Sequence, residues 1–218
     1  MPVPTVVSTA PTDGQTKIPL NQVISVNFSQ NMDGTTITAA TFLFQVYGAG
    51  GWLAGTVAGS GLDWGLTPDD PLEYDTIYSV FLDNAIKDAD GHNLAAPYQW
   101  TFQTAGVATV TTQAASDVAE RTATGNGNIT DNGGLDITER GICYSTSPDP
   151  MTTDSKVSDN TNATGAFTMS LTDLVPGKKY YAKAYCINAA GTSYGAEINF
   201  TTKAVPKIIT IMPVRFGL

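Results

Sequence analysis

The sequence predicts an all-β protein: two antiparallel β-sandwiches in tandem, followed by a β-prone C-terminal tail. Three observations carry this. Short runs of alternating apolar and polar residues recur between turn clusters, and no helical periodicity is sustained beyond a turn. Two stretches in different halves of the chain close alike, Trp100-Thr101-Phe102-Gln103-Thr104 and Ile198-Asn199-Phe200-Thr201-Thr202. Each alternates apolar residues with Thr, Asn or Gln, as a half-buried strand does. Charged residues are only 14% of the chain, against a typical ~25%. Thr, Ser, Asn and Gly fill the polar positions instead, which suits β-surfaces where χ1-restricted Thr is favoured. A length of 218 residues accommodates two ordinary domains, each with its own core. The expected division is 1–105, 106–203 and a tail over 204–218.

In the first domain the pattern predicts strands at Val23–Phe28, Phe42–Tyr47, Thr76–Leu82 and Tyr98–Phe102. Turns fall at Pro11-Thr12-Asp13-Gly14, Asp69-Asp70-Pro71 and Asp88-Ala89-Asp90-Gly91, where Pro presets φ and Asp or Gly accepts turn geometry. Several strands at this spacing predict a sandwich. Asp88-Ala89-Asp90-Gly91-His92-Asn93 has closely spaced oxygens, as a calcium loop would. Its glycine comes fourth rather than sixth, however, and position twelve is Gln99 rather than a bidentate Glu, so a turn is expected. His92, the only histidine, reads as a loop side chain with no partner base, nucleophile or acid set.

These pieces, in order, resemble a known family. Ala10-Pro11-Thr12-Asp13-Gly14, Ile18-Pro19-Leu20-Asn21, Val26–Asp33, Tyr78, Asp88–Leu94 and Trp100-Thr101-Phe102 together are similar to the bacterial Ig-like domain of surface-layer proteins and large adhesins. The resemblance runs over residues 3–105. Its tight hairpins are replaced here by the glycine-rich Gly48-Ala49-Gly50-Gly51-Trp52 and Ala58-Gly59-Ser60-Gly61.

From Val107 the pattern restarts, with strands expected at Thr109–Thr112, Thr122–Ile129, Arg140–Thr146, Gly165–Leu171 and Tyr181–Cys186, and a last hairpin over Asn188–Gly195. The strongest local signal is Leu174-Val175-Pro176-Gly177-Lys178-Lys179-Tyr180. This corner lets a tyrosine ring pack inward while its hydroxyl returns to nearby backbone. With Arg140-Gly141-Ile142-Cys143-Tyr144-Ser145 and Asn188–Gly195, it resembles the fibronectin type III superfamily over residues 107–203. That resemblance implies a seven-stranded sandwich without chemistry of its own. The fold class is therefore two tandem Ig-like and fibronectin III-like sandwiches.

The net charge of −9 is unevenly spread. Residues 1–105 carry Lys17 and Lys87 against ten acids, residues 106–203 seven bases against ten acids, and residues 204–218 only Lys207 and Arg215. An acidic body argues against nucleic acid as a partner, since phosphates need a basic face. No apolar run approaches the ~18 residues of a membrane span. Met1-Pro2-Val3-Pro4-Thr5 lacks the regions of a secretory signal, which leaves a protein used where it is made or one whose signal has been removed. Cys186 shares a strand face with Tyr180, Ala182 and Ala184, whereas Cys143 sits between the inward pair Ile142 and Tyr144. The two sulfurs are thus expected on opposite faces, as free thiols.

No constellation of base and nucleophile, carboxylate pair in a cleft, or metal cluster is visible. The expectation is no enzyme and no cofactor. Asp69-Asp70 and Asp149/Asp154 read as solvated turn acids beside prolines. Trp64 fits a core or a contact role equally, and Trp52, set among glycines, fits an exposed contact to a sugar or a partner's pocket. The tail is apolar, β-prone and basic. Lys207, Ile208, Ile209, Ile211, Arg215 and Phe216 are its candidate partner-binding residues, able to add a strand to another sheet's edge. The expected role is a structural component of a bacteriophage virion, assembled in the host cytoplasm. It would decorate the capsid or belong to the tail, and be attached partly through residues 204–218 to capsid or tail proteins or to its own copies. The alternatives are a bacterial surface adhesin or surface-layer fragment, with a surface glycan as partner, and an accessory module of a secreted glycoside hydrolase.

Overall fold

The computed structural model describes residues 2–206. By contacts the chain divides into two compact units. One is Met1–Ala108 with the short segments Asn132–Asp136 and Asn188–Gly191, and the other is the remainder. The residues at which the tail contact was expected, Lys207, Ile208, Ile209, Ile211, Arg215 and Phe216, lie outside the described residues.

The first unit is built from β1 (Val6–Ala10), β2 (Gln15–Ile18), β3 (Ile24–Phe28), β4 (Phe42–Val46), β5 (Gly55–Ser60), β6 (Asp63–Pro68), β7 (Ile77–Leu82) and β8 (Tyr98–Thr104). They form two four-stranded sheets, ordered β1-β3-β6-β5 and β2-β8-β7-β4. The chain crosses from one sheet to the other between β1 and β2, at the predicted Pro11–Gly14 turn, and β2 then runs parallel to β8. Period-2 alternation places Ile24, Val26 and Phe28 from one sheet against Phe42, Phe44, Tyr78, Val80, Trp100 and Phe102 from the other, all at 2% exposure or less.

The hairpin β5–β6 lacks that alternation, and sequence reading passes over it. Its glycines have a packing reason. A Cβ at Gly59 would come within 2.8 Å of the Trp64 ring, and one at Gly34 within 2.6 Å. Trp64 therefore lies over glycines and packs against the core, which decides its role in favour of structure.

The second unit comprises β9 (Thr109–Ser116), β10 (Ala123–Asp131), β11 (Ile137–Ser145), β12 (Ser155–Asp159), β13 (Gly165–Leu171), β14 (Lys179–Asn188), β15 (Gly191–Tyr194) and β16 (Ile198–Thr201). A three-stranded sheet β13-β10-β9 faces a second sheet ordered β12-β11-β14-β15, with β16 also on β14. β15 and β16 take successive lengths of the same edge: β16 pairs with Lys179–Ala182, and Gly195 N–H then donates to Ala184 O at 2.9 Å. Eight segments thus fill the seven strand positions that the resemblance implies. Close approach between the sheets rests on Gly125 and Gly127, where an added Cβ would meet Ile142 and Ala184 of the facing sheet, each at 2.9 Å.

Both units contain the same tyrosine corner. In the second, Tyr180 Oη accepts the Val175 N–H at 3.0 Å, and its ring stacks on Phe200 at 5.8 Å. In the first, Tyr78 Oη accepts the Glu73 N–H at 2.9 Å, and its ring stacks on Phe102 at 5.5 Å. Each corner is closed by a buried threonine at the end of the closing strand. Thr104 Oγ1 accepts the Thr76 N–H at 2.9 Å and donates to Glu73 O at 2.6 Å. Thr202 Oγ1 accepts the Lys178 N–H at 3.0 Å and donates to Val175 O at 2.6 Å. The similar endings of the two halves therefore reflect one physical device, used twice.

Candidate functional site

The exposed aromatic singled out in the sequence, Trp52, lies on the loop that leaves β4. After Tyr47 the chain turns through Gly48 and Gly50, both at positive φ, and returns along the β4 edge, where Leu53 N–H donates to Phe44 O at 2.9 Å. Successive side chains of an extended segment point to opposite sides. Trp52 is accordingly carried over the outer face of the β4–β7–β8 sheet. One face of its ring stacks on Phe81, with centroids 6.1 Å apart and planes 30° apart. The residue remains 50% exposed, and Tyr47, at the entry to the same loop, is 62% exposed.

His92 departs from expectation in having an acidic partner. Its Nδ1 lies 3.1 Å from Oδ2 of Asp88, which is buried. Asp88 Oδ1 accepts the backbone N–H groups of Asp90 and His92 at 3.0 and 2.8 Å. Burial pushes the Asp88 carboxyl up, but the hydrogen bonds from the His92 backbone and ring and from Asp90 outweigh it, leaving the group below its ordinary range. Among the described residues this is the group of three metal-capable side chains that comes together, with Asp88, Asp90 and His92 ligand atoms within 4.8 Å of one another. Both Asp88 oxygens are engaged in the loop's own hydrogen bonds, so the arrangement fixes the turn that the sequence predicts there.

The remaining chemistry-bearing side chains have structural assignments. Cys143 and Cys186 are free and fully buried. Cys143 Sγ lies 3.5 Å from the carbonyl oxygens of Pro150 and Lys183, and burial raises both thiols above their ordinary range. On the outer face of β11–β12–β14, Lys156 Nζ meets Glu139 Oε1 at 2.7 Å, and Tyr185 Oη donates to the same carboxylate. The Lys156 and Tyr185 hydrogen bonds hold Glu139 below the usual carboxylate range, while burial raises the Tyr185 phenol. Asp154 Oδ2 accepts the Met151 N–H at 2.9 Å, a turn role, and Asp149 pairs with Lys183.

An all-β protein of two antiparallel β-sandwiches, each with a tyrosine corner, is the class that this architecture defines. In comparison with known proteins, residues 2–104 match the family described as the bacterial Ig-like domain. No curated protein matches the chain. Among solved structures, the chain is similar to the N-terminal part of the bacterial S-layer protein SbsC, at 16% identity and a TM-score of 0.39, covering 93% of this chain and 44% of that one. It is similar also to the chicken CNTN1 FN1–FN3 domains, at 13% identity and a TM-score of 0.37, covering 91% and 67%. The sensor domain of the anti-sigma factor RsgI4 in Pseudobacteroides cellulosolvens aligns at 19% identity and a TM-score of 0.36, covering 49% of this chain and 100% of that one.

Proposed function

We propose that the chain is a non-enzymatic structural and adhesive segment of a bacterial protein exposed at the cell surface or secreted. The match of residues 2–104 to the bacterial Ig-like family carries the reading. It favours the surface alternative over the virion role expected from the sequence. The side chains reinforce it: the buried thiols, the Asp88–His92 pair and the Glu139 cluster all serve the fold. The apolar, basic stretch containing Lys207, Ile208, Ile209, Ile211, Arg215 and Phe216 is the proposed attachment segment, and deletion of residues 204–218 should release the protein from its assembly. The reading is tested by protease treatment of intact native cells, followed by detection with an antibody to the chain. Loss of the signal without lysis is expected. Protection until lysis, or recovery of the chain at regular positions on purified phage particles, would overturn it.

A further inference from the structure

Strands β4, β7 and β8 contain no charged residue, although the first 105 residues carry ten acids and two lysines. Their outer face is a grid fixed by register. Leu43 stands beside Phe81, which stands beside Gln99. The next row is Gln45, Ser79 and Thr101, and the one after pairs Ile77 with Gln103, with Tyr47 next to Ile77. Aromatic and aliphatic groups therefore occupy the two ends of the face, about 13 Å apart at the ordinary rise of a strand. Amides and hydroxyls lie between them.

We infer that this face is a binding platform for a neutral polysaccharide of equatorially substituted, β-linked pyranoses. Such sugars present axial C–H groups on a flat face, which suits the electron-rich face of an aromatic ring. Trp52 offers that face with its orientation set, because the opposite side of the indole is held against Phe81. Tyr47 supplies a second exposed ring at the far end. Gln45, whose amide makes no hydrogen bond among the described residues, and Gln99, which donates to Ser79 Oγ at 2.8 Å, provide donors and acceptors for ring hydroxyls. Carboxylates border the face only beyond the strand ends, at Asp13, Asp75 and Asp83, and Asp83 Oδ1 accepts the Ala85 N–H at 2.7 Å. Asp13 Oδ1 accepts the Thr101 N–H at 2.9 Å, and Asp75 Oδ1 accepts from Gln103 Nε2 at 2.8 Å. Strands β4, β7 and β8 carry no cation, and the lysine of the sheet, Lys17, stands on β2 at its edge and is already partnered, which leaves an anionic glycan little counter-charge. The bordering acids keep their charge but stand at the rim, so the strands themselves offer a basic protein no counter-charge. An uncharged polyol is the complementary ligand. The corresponding face of the second unit carries the Lys156–Glu139 ion pair instead and lacks this character.

The platform deepens the surface reading and rests on it. Its test is independent of localisation. The purified chain is run in native affinity gels containing hydroxyethylcellulose, glucomannan or arabinoxylan, with polygalacturonate and polylysine as charged probes. Retardation by at least one of the neutral polymers and not by polygalacturonate is expected, and any retardation by polylysine, which a net charge of −9 invites, should be unaffected by the substitutions below. Trp52→Ala should weaken it about tenfold or more, and Tyr47→Ala and Gln45→Ala severalfold. All three positions are away from the core, and far-UV circular dichroism and the unfolding midpoint should stay unchanged. If Trp52→Ala disturbs folding, Tyr47→Ala and Gln45→Ala carry the test. No retardation by any neutral polymer, retardation insensitive to these substitutions, or binding to polylysine through the same residues would each overturn the platform, whatever the protease experiment shows of the cell surface.

Discussion

Removing the hydroxyl of the closing threonine should cost more than removing that of the corner tyrosine, in both units. Thr104 and Thr202 are each 2% exposed, and each hydroxyl both accepts a backbone N–H and donates to a backbone C=O. Thr104→Val and Thr202→Val keep the shape and strand two backbone groups, for a loss of about 1–3 kcal/mol. Tyr78→Phe and Tyr180→Phe keep the stacked ring and give up one hydrogen bond to a partly buried N–H that water can reach, for about 0.5–1.5 kcal/mol. In a domain of this size, each kcal/mol corresponds to roughly 4–8 °C in melting temperature. The two substitutions in one corner share the Glu73 or Val175 loop, so the double variants should fall short of or exceed the sum. Urea unfolding measures this. All three tryptophans, Trp52, Trp64 and Trp100, lie in the first unit, so fluorescence follows that unit while far-UV circular dichroism follows both. A threonine loss below about 0.5 kcal/mol, or a tyrosine loss larger than the threonine loss, would refute the reasoning.

Stability should fall on both sides of neutrality. Burial raises the phenols of Tyr78, Tyr144 and Tyr185 above the ordinary 10.0. The unfolded chain therefore releases these protons first, and stability that is intact below pH 10 is lost as pH rises beyond it. Asp33, held down by hydrogen bonds from the Thr35 side chain and backbone, and Glu139, held down by Lys156 and Tyr185, sit below their ordinary 3.8 and 4.5. Their contribution is present above those values and is lost as pH falls through them, which urea midpoints measured across the pH range will show. Gly141→Ala should cost about 1–3 kcal/mol, because its Cβ would lie 2.3 Å from Val157 O and 2.8 Å from Tyr185. An unchanged urea midpoint would mean that β12 moves freely. Cys143 and Cys186 should resist a thiol reagent in the native state and react as two equivalents in denaturant. Fast native labelling of either would contradict its burial.

The two sandwiches were legible because period-2 alternation survives wherever one strand face meets a core, as in β3, β4, β7, β8, β13 and β14. Where it does not survive, the cause is local. β12 is an edge strand of sequence Ser-Lys-Val-Ser-Asp, with little to bury, and β5 carries a glycine at position 59 so that the Trp64 indole can lie on it. The second tyrosine corner was visible through Pro176-Gly177. The first was not, because Asp75 takes the left-handed conformation, at φ 51°, that Gly177 takes at φ 67° in the other unit. Asp enters that region more readily than most residues, so the geometry persists without the residue that advertises it. The Asp88–His92 pair was missed for a related reason. A histidine in a turn signals nothing until the turn folds it back onto an acid four residues earlier.

Trp52 sits on the other side of that divide. Glycine neighbours are enough to mark a tryptophan as exposed, and the structure bears out that exposure. What the glycines cannot carry is the partner of the ring. Phe81 is twenty-nine residues away, and only the return of the loop along the β4 edge brings it under the indole. A freely rotating exposed Trp would lose rotamer entropy on meeting a ligand, whereas one held by stacking on one face has already lost it. The absence of charge on β4, β7 and β8 was equally open to inspection strand by strand. It acquires meaning only once register places the three on one face, so that an uncharged surface under an oriented ring stands out within an acidic domain.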